Sequence, residues 1–269
     1  MYDRLLLPVR SPSEVEPIIR FAAGLLNSDG ELRTLHVIPT ITMPEVTREW
    51  RASVNLVVPA HETGAALDVR VEPEIRASVD VPGEILESAE SHDVGAILLT
   101  LGGDRRSRNP FVGHTASSIL HHARADVIVV NRLALTTGRV PRVLLPTIRG
   151  PPSPKVLKLA EQLSIRQQVA PIVTVAIGPR DGLRRPRQAD ERTTRGIPLT
   201  HKHSFASKTI LGRRHRLAEL ILTEAAAQRY GLLVLGEEPA SVEGPPLLTR
   251  PFLEELFRAA PCPVVAIRG

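Results

Sequence analysis

Two doubly wound α/β domains in tandem, each a parallel sheet with helices on both faces, are what the 269 residues predict. Three features carry this reading. Short aliphatic runs alternate with amphipathic segments of helical period, the pattern of strands buried on both faces and joined by crossover helices. Aromatic residues make up only 3% of the chain against 42% hydrophobic, so the core is built from Leu, Val, Ile and Ala. The chain also repeats itself. RLLLPVR (4–10) recurs as RVLLPTI (142–148), HDVGAILLTLGG (92–103) as RYGLLVLGEE (229–238), and HHARADVIVVN (121–131) as RAAPCPVVAIR (258–268). The three matches are collinear and offset by about 137 residues, one domain length. The domains expected are 1–134 and 141–269, joined near LALTTGRVP (133–141).

In the first half, RLLLPV is a buried strand. SPSEVEPIIRFAAGLLNSDG then reads as a helix, with Ser11 or Ser13 as N-cap and Pro12 or Glu14 in the first turn. Ile18, Ile19, Ala22, Leu25 and Leu26 recur at helical spacing, and Asn27 to Gly30 end the helix. ELRTLHVIP is a strand, 44–62 is helical in part, and ALDVRVEPEIR alternates as a less buried strand does. DVPGEILESAESHD is a helix capped by Asp80. GAILLT and DVIVV are buried strands flanking a glycine- and arginine-rich loop and its helix, LGGDRRSRNPFVGHTASSIL (101–120). The second half gives strands RVLLPT, VAPIVTVAI, IPLTHKH, GLLVLG and PVVAI, with helices at about 153–163, 214–229 and 250–259. Where the first half has 44–62, the second has GPRDGLRRPRQADERTTRG, read as a loop.

Composition excludes several classes. No apolar run is long enough to span a membrane, and the opening MYDRLLLPVRSP is no secretory signal. The single cysteine, Cys262, rules out an internal disulfide, and with no export signal the expected location is the cytoplasm. Cys262 precedes a buried strand, where a thiol is inert. No G-x-S-x-G elbow, H-E-x-x-H pair or Walker loop is present, so no dedicated enzyme is expected. The net charge of +5 divides unevenly: residues 1–140 carry −4 and residues 141–269 carry +9. Such asymmetry points to different partners, or to pairing of the halves with each other.

Both halves resemble the universal stress protein family. The residues that carry the resemblance are DRLLLPV, the HVIP of the second strand, VPGEILESAESHDVGAILL and above all RAAPCPVVAI. The resemblance implies Rossmann-like domains of five parallel strands that pair within the chain as subunits do in family dimers, with a homodimer as a further possibility. It also implies ATP or another nucleotide as ligand. Nucleotide-binding members share a loop of the form G-x2-G-x9-G-[ST], whose glycines admit a phosphate to the backbone and whose last residues open a helix with free N–H groups. Here Gly103 and Gly113 stand at the required spacing, but Thr100 replaces the first glycine and His114 follows Gly113, with Thr115 one further on. Arg105, Arg106 and Arg108 in the loop could meet phosphates. The family's adenine-contacting aspartate is matched by Arg10, a cation that cannot accept a hydrogen bond from an amino group. Arg10 would then pair with a carboxylate, Asp104 being the candidate. The nucleotide site in domain 1 would comprise Val9, Arg10, Val37, Thr100, Gly103, Gly113, His114 and Thr115. In the second half the matches are Ile148, Gly236, Pro239, Thr249 and Arg250, and no nucleotide is expected there.

Other candidates read as surface features. His201 and His203 share a strand face without a third ligand, so no metal site is expected. His121 and His122 are an exposed helix end, where a cation suits the dipole. The basic stretches at 184–187 and 212–216 suit a solvated or inter-domain surface, anionic lipid or an acidic partner. They could also meet nucleic acid, the weakest of these options, and scarce aromatics argue against single-stranded RNA. Two functions follow: a cytoplasmic stress-type regulator with a nucleotide in domain 1 only, or a nucleotide-independent interaction module, for example one associated with a membrane transporter.

Overall fold

The structure, a computed structural model, describes residues 1–10, 12–40, 42–101, 113–131, 142–147, 152–166, 172–178, 205–211, 216–236 and 249–268. The chain divides into two units, the first built from Met1–Thr136 and the second from Thr137–Ile267.

In the first unit the elements run β1 (Tyr2–Pro8), α1 (Pro12–Ala23), β2 (Leu26–Ile38), α2 (Met43–Ala66), β3 (Arg70–Ala77), α3 (Val81–Ser91), β4 (Ala96–Leu101), α4 (His114–His122) and β5 (Asp126–Asn131). The strands form a parallel sheet in the order β3-β2-β1-β4-β5. The chain winds outward from β1 in one direction and from β4 in the other, so β1 and β4 flank the switch point, where such sheets open a crevice at their carboxyl ends. Leu5, Leu6 and Leu7 of β1 and Ile97 and Leu98 of β4 are fully buried, as strands covered on both faces require. Asp80 caps α3, its carboxylate accepting from the Gly83 amide at 3.1 Å. A side chain at Gly83 would strike that carboxylate.

The second unit contains β6 (Val143–Thr147), α5 (Pro154–Arg166), β7 (Ile172–Gly178), β8 (Phe205–Leu211), α6 (Leu217–Ala227), β9 (Leu232–Gly236), α7 (Arg250–Ala259) and β10 (Val264–Arg268). Its parallel order, β10-β9-β6-β7-β8, is the first unit's order element for element. The internal register also agrees. Leu5 pairs with Ala96 in the first unit and Val143 with Leu232 in the second. The Gly95 amide donates to the Arg4 carbonyl at 3.0 Å, and the Gly231 amide to the Arg142 carbonyl at 3.0 Å. Asp93 after α3 (φ 49°) and Arg229 after α6 (φ 51°) are both left-handed.

Three elements depart from the sequence reading. Helix α1 stops at Ala23, because Gly24 and Leu25 turn the chain, their amides donating to Phe21 and Ala22 carbonyls at 3.0 and 2.8 Å. Leu26 already pairs with Tyr2, and the residues between it and Glu31 form an irregularity in β2, tied down by the Asn27 amide donating to Asp3 at 2.6 Å. Helix α1 starts at Pro12, which puts Ser13 inside it; Ser11 lies outside the described residues. The crossover at 44–62 is one continuous helix of 24 residues, α2. Glu45 in its first turn accepts from the hydroxyls of Thr40 and Thr42 at 2.7 and 2.6 Å. The strand paired with β7 is Phe205–Leu211; the expected IPLTHKH at 197–203 lies outside the described residues.

Candidate functional site

A cavity of about 460 Å³ opens at the carboxyl ends of β1, β2 and β4, beside the first turn of α4. Its floor and walls are aliphatic, with Leu35, Val81, Ile85 and Leu99 contributing. Polar character comes from Arg10, His36, Thr100 and Thr115, with Gly113 at the mouth. No carboxylate lines it among the described residues.

Each of these groups is placed by its element. Val9 and Arg10 continue β1 past its last sheet residue, and the Val9 amide donates to the Leu35 carbonyl at 2.9 Å, fixing the tip of β1 against β2. The Val9 carbonyl lies 2.9 Å from His36 Nδ1, which holds the imidazole at the rim. Arg10 is exposed, and among the described residues its guanidinium has no hydrogen-bonding partner or ion pair. Thr100 is the penultimate residue of β4, half-buried between the buried Leu99 and Leu101.

Gly113 is the N-cap of α4 with φ −68° and ψ 173°, extended backbone that any residue adopts. Among the described residues, its chain neighbours aside, a Cβ built on it would meet nothing within 4 Å, so these residues leave a cradle there that a side chain would fill. The Ser117 amide donates to the Gly113 carbonyl at 3.0 Å, closing the first turn. The amides of His114, Thr115 and Ala116 precede the first intrahelical donor, so they and the dipole make this end a favourable place for an anion.

Of the residues predicted from sequence, Val9, Arg10, Val37, Thr100, Gly113 and Thr115 line this one cavity. His114 opens α4, is exposed, and is not among the lining residues. Gly103, Asp104, Arg105, Arg106 and Arg108 lie outside the described residues. His36 was not foreseen. It stands one residue before Val37 in the HVIP run, so the signal was there, a polar ring at the end of an apolar strand. The cavity fits a phosphate at Gly113. It does not fit an adenine amino group at Arg10, since both partners would be donors.

The corresponding end of the second unit differs. Gly236 closes β9, and a Cβ there would fall 1.8 Å from Val156 Cγ2, on the buried face of α5. This glycine makes room for a helix side chain and leaves no cradle. Helix α7 begins after Thr249 with Pro251 in its first turn, and a proline has no N–H to offer an anion. Ile148 and Pro239 lie outside the described residues.

The remaining candidates are structural in character. Glu74, Arg76 and Glu84, all half-buried, cluster with the buried Ser88; Arg76 Nε donates to Glu74 at 2.6 Å and Ser88 Oγ donates to it at 2.9 Å. Burial alone would raise the Glu74 pKa. The bonds from Arg76 and Ser88 outweigh it and hold the carboxyl below its ordinary range. Cys262 is buried, and desolvation pushes its thiol up to about 11. His121 and His122 are exposed at the end of α4, His122 Nδ1 lying 2.9 Å from the Ser118 carbonyl. Arg216 pairs with Glu219 one turn on, and residues 184–187, 212–215, His201 and His203 lie outside the described residues. Among the described residues there is no group of three or more His, Cys, Asp or Glu placed to hold a metal ion, and no helix long and apolar enough to cross a membrane.

Comparison with known proteins agrees with this geometry. The sequence model of the universal stress protein family matches residues 1–131. A universal stress protein from Archaeoglobus fulgidus DSM 4304 has the same fold over nearly the whole length, at a TM-score of 0.68 and 14% identity, covering 98% of this chain and 97% of that one. The cytoplasmic domain of a prokaryotic cation chloride cotransporter matches at a TM-score of 0.64 and 12% identity, over 99% and 95%. A functionally unknown protein from Pseudomonas aeruginosa PAO1 matches at 0.62 and 12%, over 99% and 92%. At these identities the likeness is one of fold. No curated protein matches in sequence.

Proposed function

Since residues 1–131 of this chain belong to the universal stress protein family, we propose that the first unit is a nucleotide-binding regulatory module. The ligand's phosphates lie on the first turn of α4 and its base lies beside Arg10. The observation that carries the reading is the convergence of six sequence-predicted residues on one cavity, at a helix mouth that Gly113 leaves open. The family's ATP is the reference ligand, but Arg10 changes the base. A guanidinium offers only donors, so it suits the carbonyl oxygens of guanine or uracil and opposes the amino group of adenine. Among the described residues no nucleophile with an adjacent base stands beside the cavity, so the module is taken to act by binding.

The second unit, in this reading, is an interaction module for the cytoplasm that binds no nucleotide. Its Gly236 packs against Val156, and its half of the sequence carries +9, which suits an acidic partner or the cytoplasmic side of a transporter. The fold shared with a cotransporter's cytoplasmic domain is compatible with that role.

Calorimetric titration and thermal melting of the full chain with ATP, GTP, UTP and inorganic triphosphate, each with magnesium, test the proposal. A ligand at 100 times its Kd stabilises its unit by about 2.7 kcal/mol, which raises the melting temperature by roughly 5–10 °C. GTP or UTP should bind about tenfold more tightly than ATP, a difference of about 1.4 kcal/mol, and Arg10→Asp should reverse the preference. No shift with any of the four ligands at millimolar concentration refutes nucleotide binding. Equal affinities that Arg10→Asp leaves unchanged refute the assignment of Arg10.

A further inference from the structure

Helix α2 carries an apolar stripe that faces solvent. Its buried side is set by Ser53, Leu56, Ala60 and Thr63. On a different side, Met43 (72% exposed), Trp50 (47%), Val54 (46%) and Val58 (49%) lie one above another at spacings of seven, four and four. Residues four apart on a helix are neighbours, so Trp50, Val54 and Val58 form one continuous strip, with Met43 two turns before Trp50 on the same face and the exposed Thr47 between them. Four of the five large hydrophobic residues that the structure exposes are on this one helix face. His61 and Ala65, both exposed, extend the same strip.

One flank of the stripe is charged in a particular order. Arg51 and Glu62 are both exposed, and eleven residues separate them, a rotation of about 20° beyond three turns. They therefore lie on the same flank at opposite ends of the stripe. Among the described residues neither makes an ion pair or hydrogen bond, whereas Arg48 is already paired with its neighbour Glu49. When two identical helices pack antiparallel about a two-fold axis, each flank faces its own copy, running the other way. Arg51 of one copy then meets Glu62 of the other, twice, while the Val54 and Val58 layers meet at the centre and each Trp50 lies over the small Ala65. A parallel arrangement offers no such match, because the opposite flank carries Val46 and Val57. Pro59 lies near the far side of the helix from the stripe, so it does not obstruct the approach.

We infer that this face of α2 is a self-complementary interface, by which two copies of the chain pair antiparallel through Trp50, Val54 and Val58 with reciprocal Arg51–Glu62 ion pairs. The stripe explains why a helix that already buries one side in its own unit exposes aliphatic and indole surface on another, and the charge order names the occupant as a second copy.

Trp50 is the only tryptophan in the chain, so its emission reports on this surface alone. Sedimentation velocity and tryptophan emission of the full chain, measured together over a concentration series, are the test. Dimerisation should appear in both, with the emission moving to the blue as dimer forms. Val54→Glu, at an exposed position that leaves the fold and its circular dichroism intact, should abolish both. Arg51→Glu and Glu62→Arg should each weaken the dimer about tenfold, and the double reversal should restore it. A chain that stays monomeric with unchanged emission overturns the inference. So does a dimer indifferent to the charge reversals. A blue shift that occurs only with anionic phospholipid vesicles also overturns it, since the stripe would then meet a lipid surface.

Discussion

Gly113 separates a ligand cradle from a mere helix start. Its backbone is extended, with φ −68°, so alanine fits there without backbone strain, and among the described residues, its chain neighbours aside, the new Cβ would meet no atom within 4 Å. Gly113→Ala should therefore cost the fold no more than about 1 kcal/mol, the loss from a poorer N-cap. If a phosphate rests against this backbone, the same methyl group stands where its oxygens must come. Nucleotide affinity should then fall by about tenfold or more, or at least 1.4 kcal/mol. Denaturant unfolding alongside calorimetry separates the two effects; unaltered affinity would show that Gly113 serves only the start of α4. At this scale chain order explains why Val9, Arg10, Val37, Thr100, Gly113 and Thr115 come to one cavity, because the strand ends and the helix mouth follow from it. The sequence did not reveal His36, since an imidazole in an apolar run reads equally well as a core residue, nor that His114 would be exposed and not line the cavity.

At the scale of elements, buried parallel strands were the most legible part. They are continuous apolar runs, and β1, β4, β5, β6, β9 and β10 all lie where such runs stand. The end of α1 was not legible, because Leu25 and Leu26 keep helical spacing even though Gly24 has already turned the chain. The stripe on α2 was also readable as Trp50, Val54 and Val58 at intervals of four, but periodicity shows which residues align and not which side the sheet covers. The same distinction applies to Gly236. Its sequence position matches a ligand loop, yet the structure places Val156 in the space a side chain would need. Gly236→Ala should destabilise the second unit by about 1–3 kcal/mol through overpacking between β9 and α5. Adding Val156→Ala should recover part of that loss, since it clears the Cγ atoms that collide. Urea unfolding of the four members of this cycle gives the coupling; independent effects would mean that Gly236 is retained for another reason.

The whole molecule presents one fold twice, with matching strand order, register and left-handed turns after α3 and α6. Equal folds do not require equal sites. The first unit opens its switch point into a cavity beside three helix amides that precede the first intrahelical donor. In the second, a valine fills the glycine's space and a proline removes one amide from the corresponding helix mouth. If the proposed function holds, ligand binding to the full chain should saturate at one nucleotide per chain, although the chain contains two units of the same fold. Titration calorimetry at protein concentrations well above Kd reads this directly as the molar ratio at the inflection. Gly113→Ala should remove most of that binding, and substitutions at Thr249 should leave it intact. A ratio of two per chain would show that a helix mouth deprived of one amide by Pro251, in a unit whose Gly236 packs against Val156, still accepts a phosphate. The asymmetry between the units would then have to lie in their partners and not in their ligands.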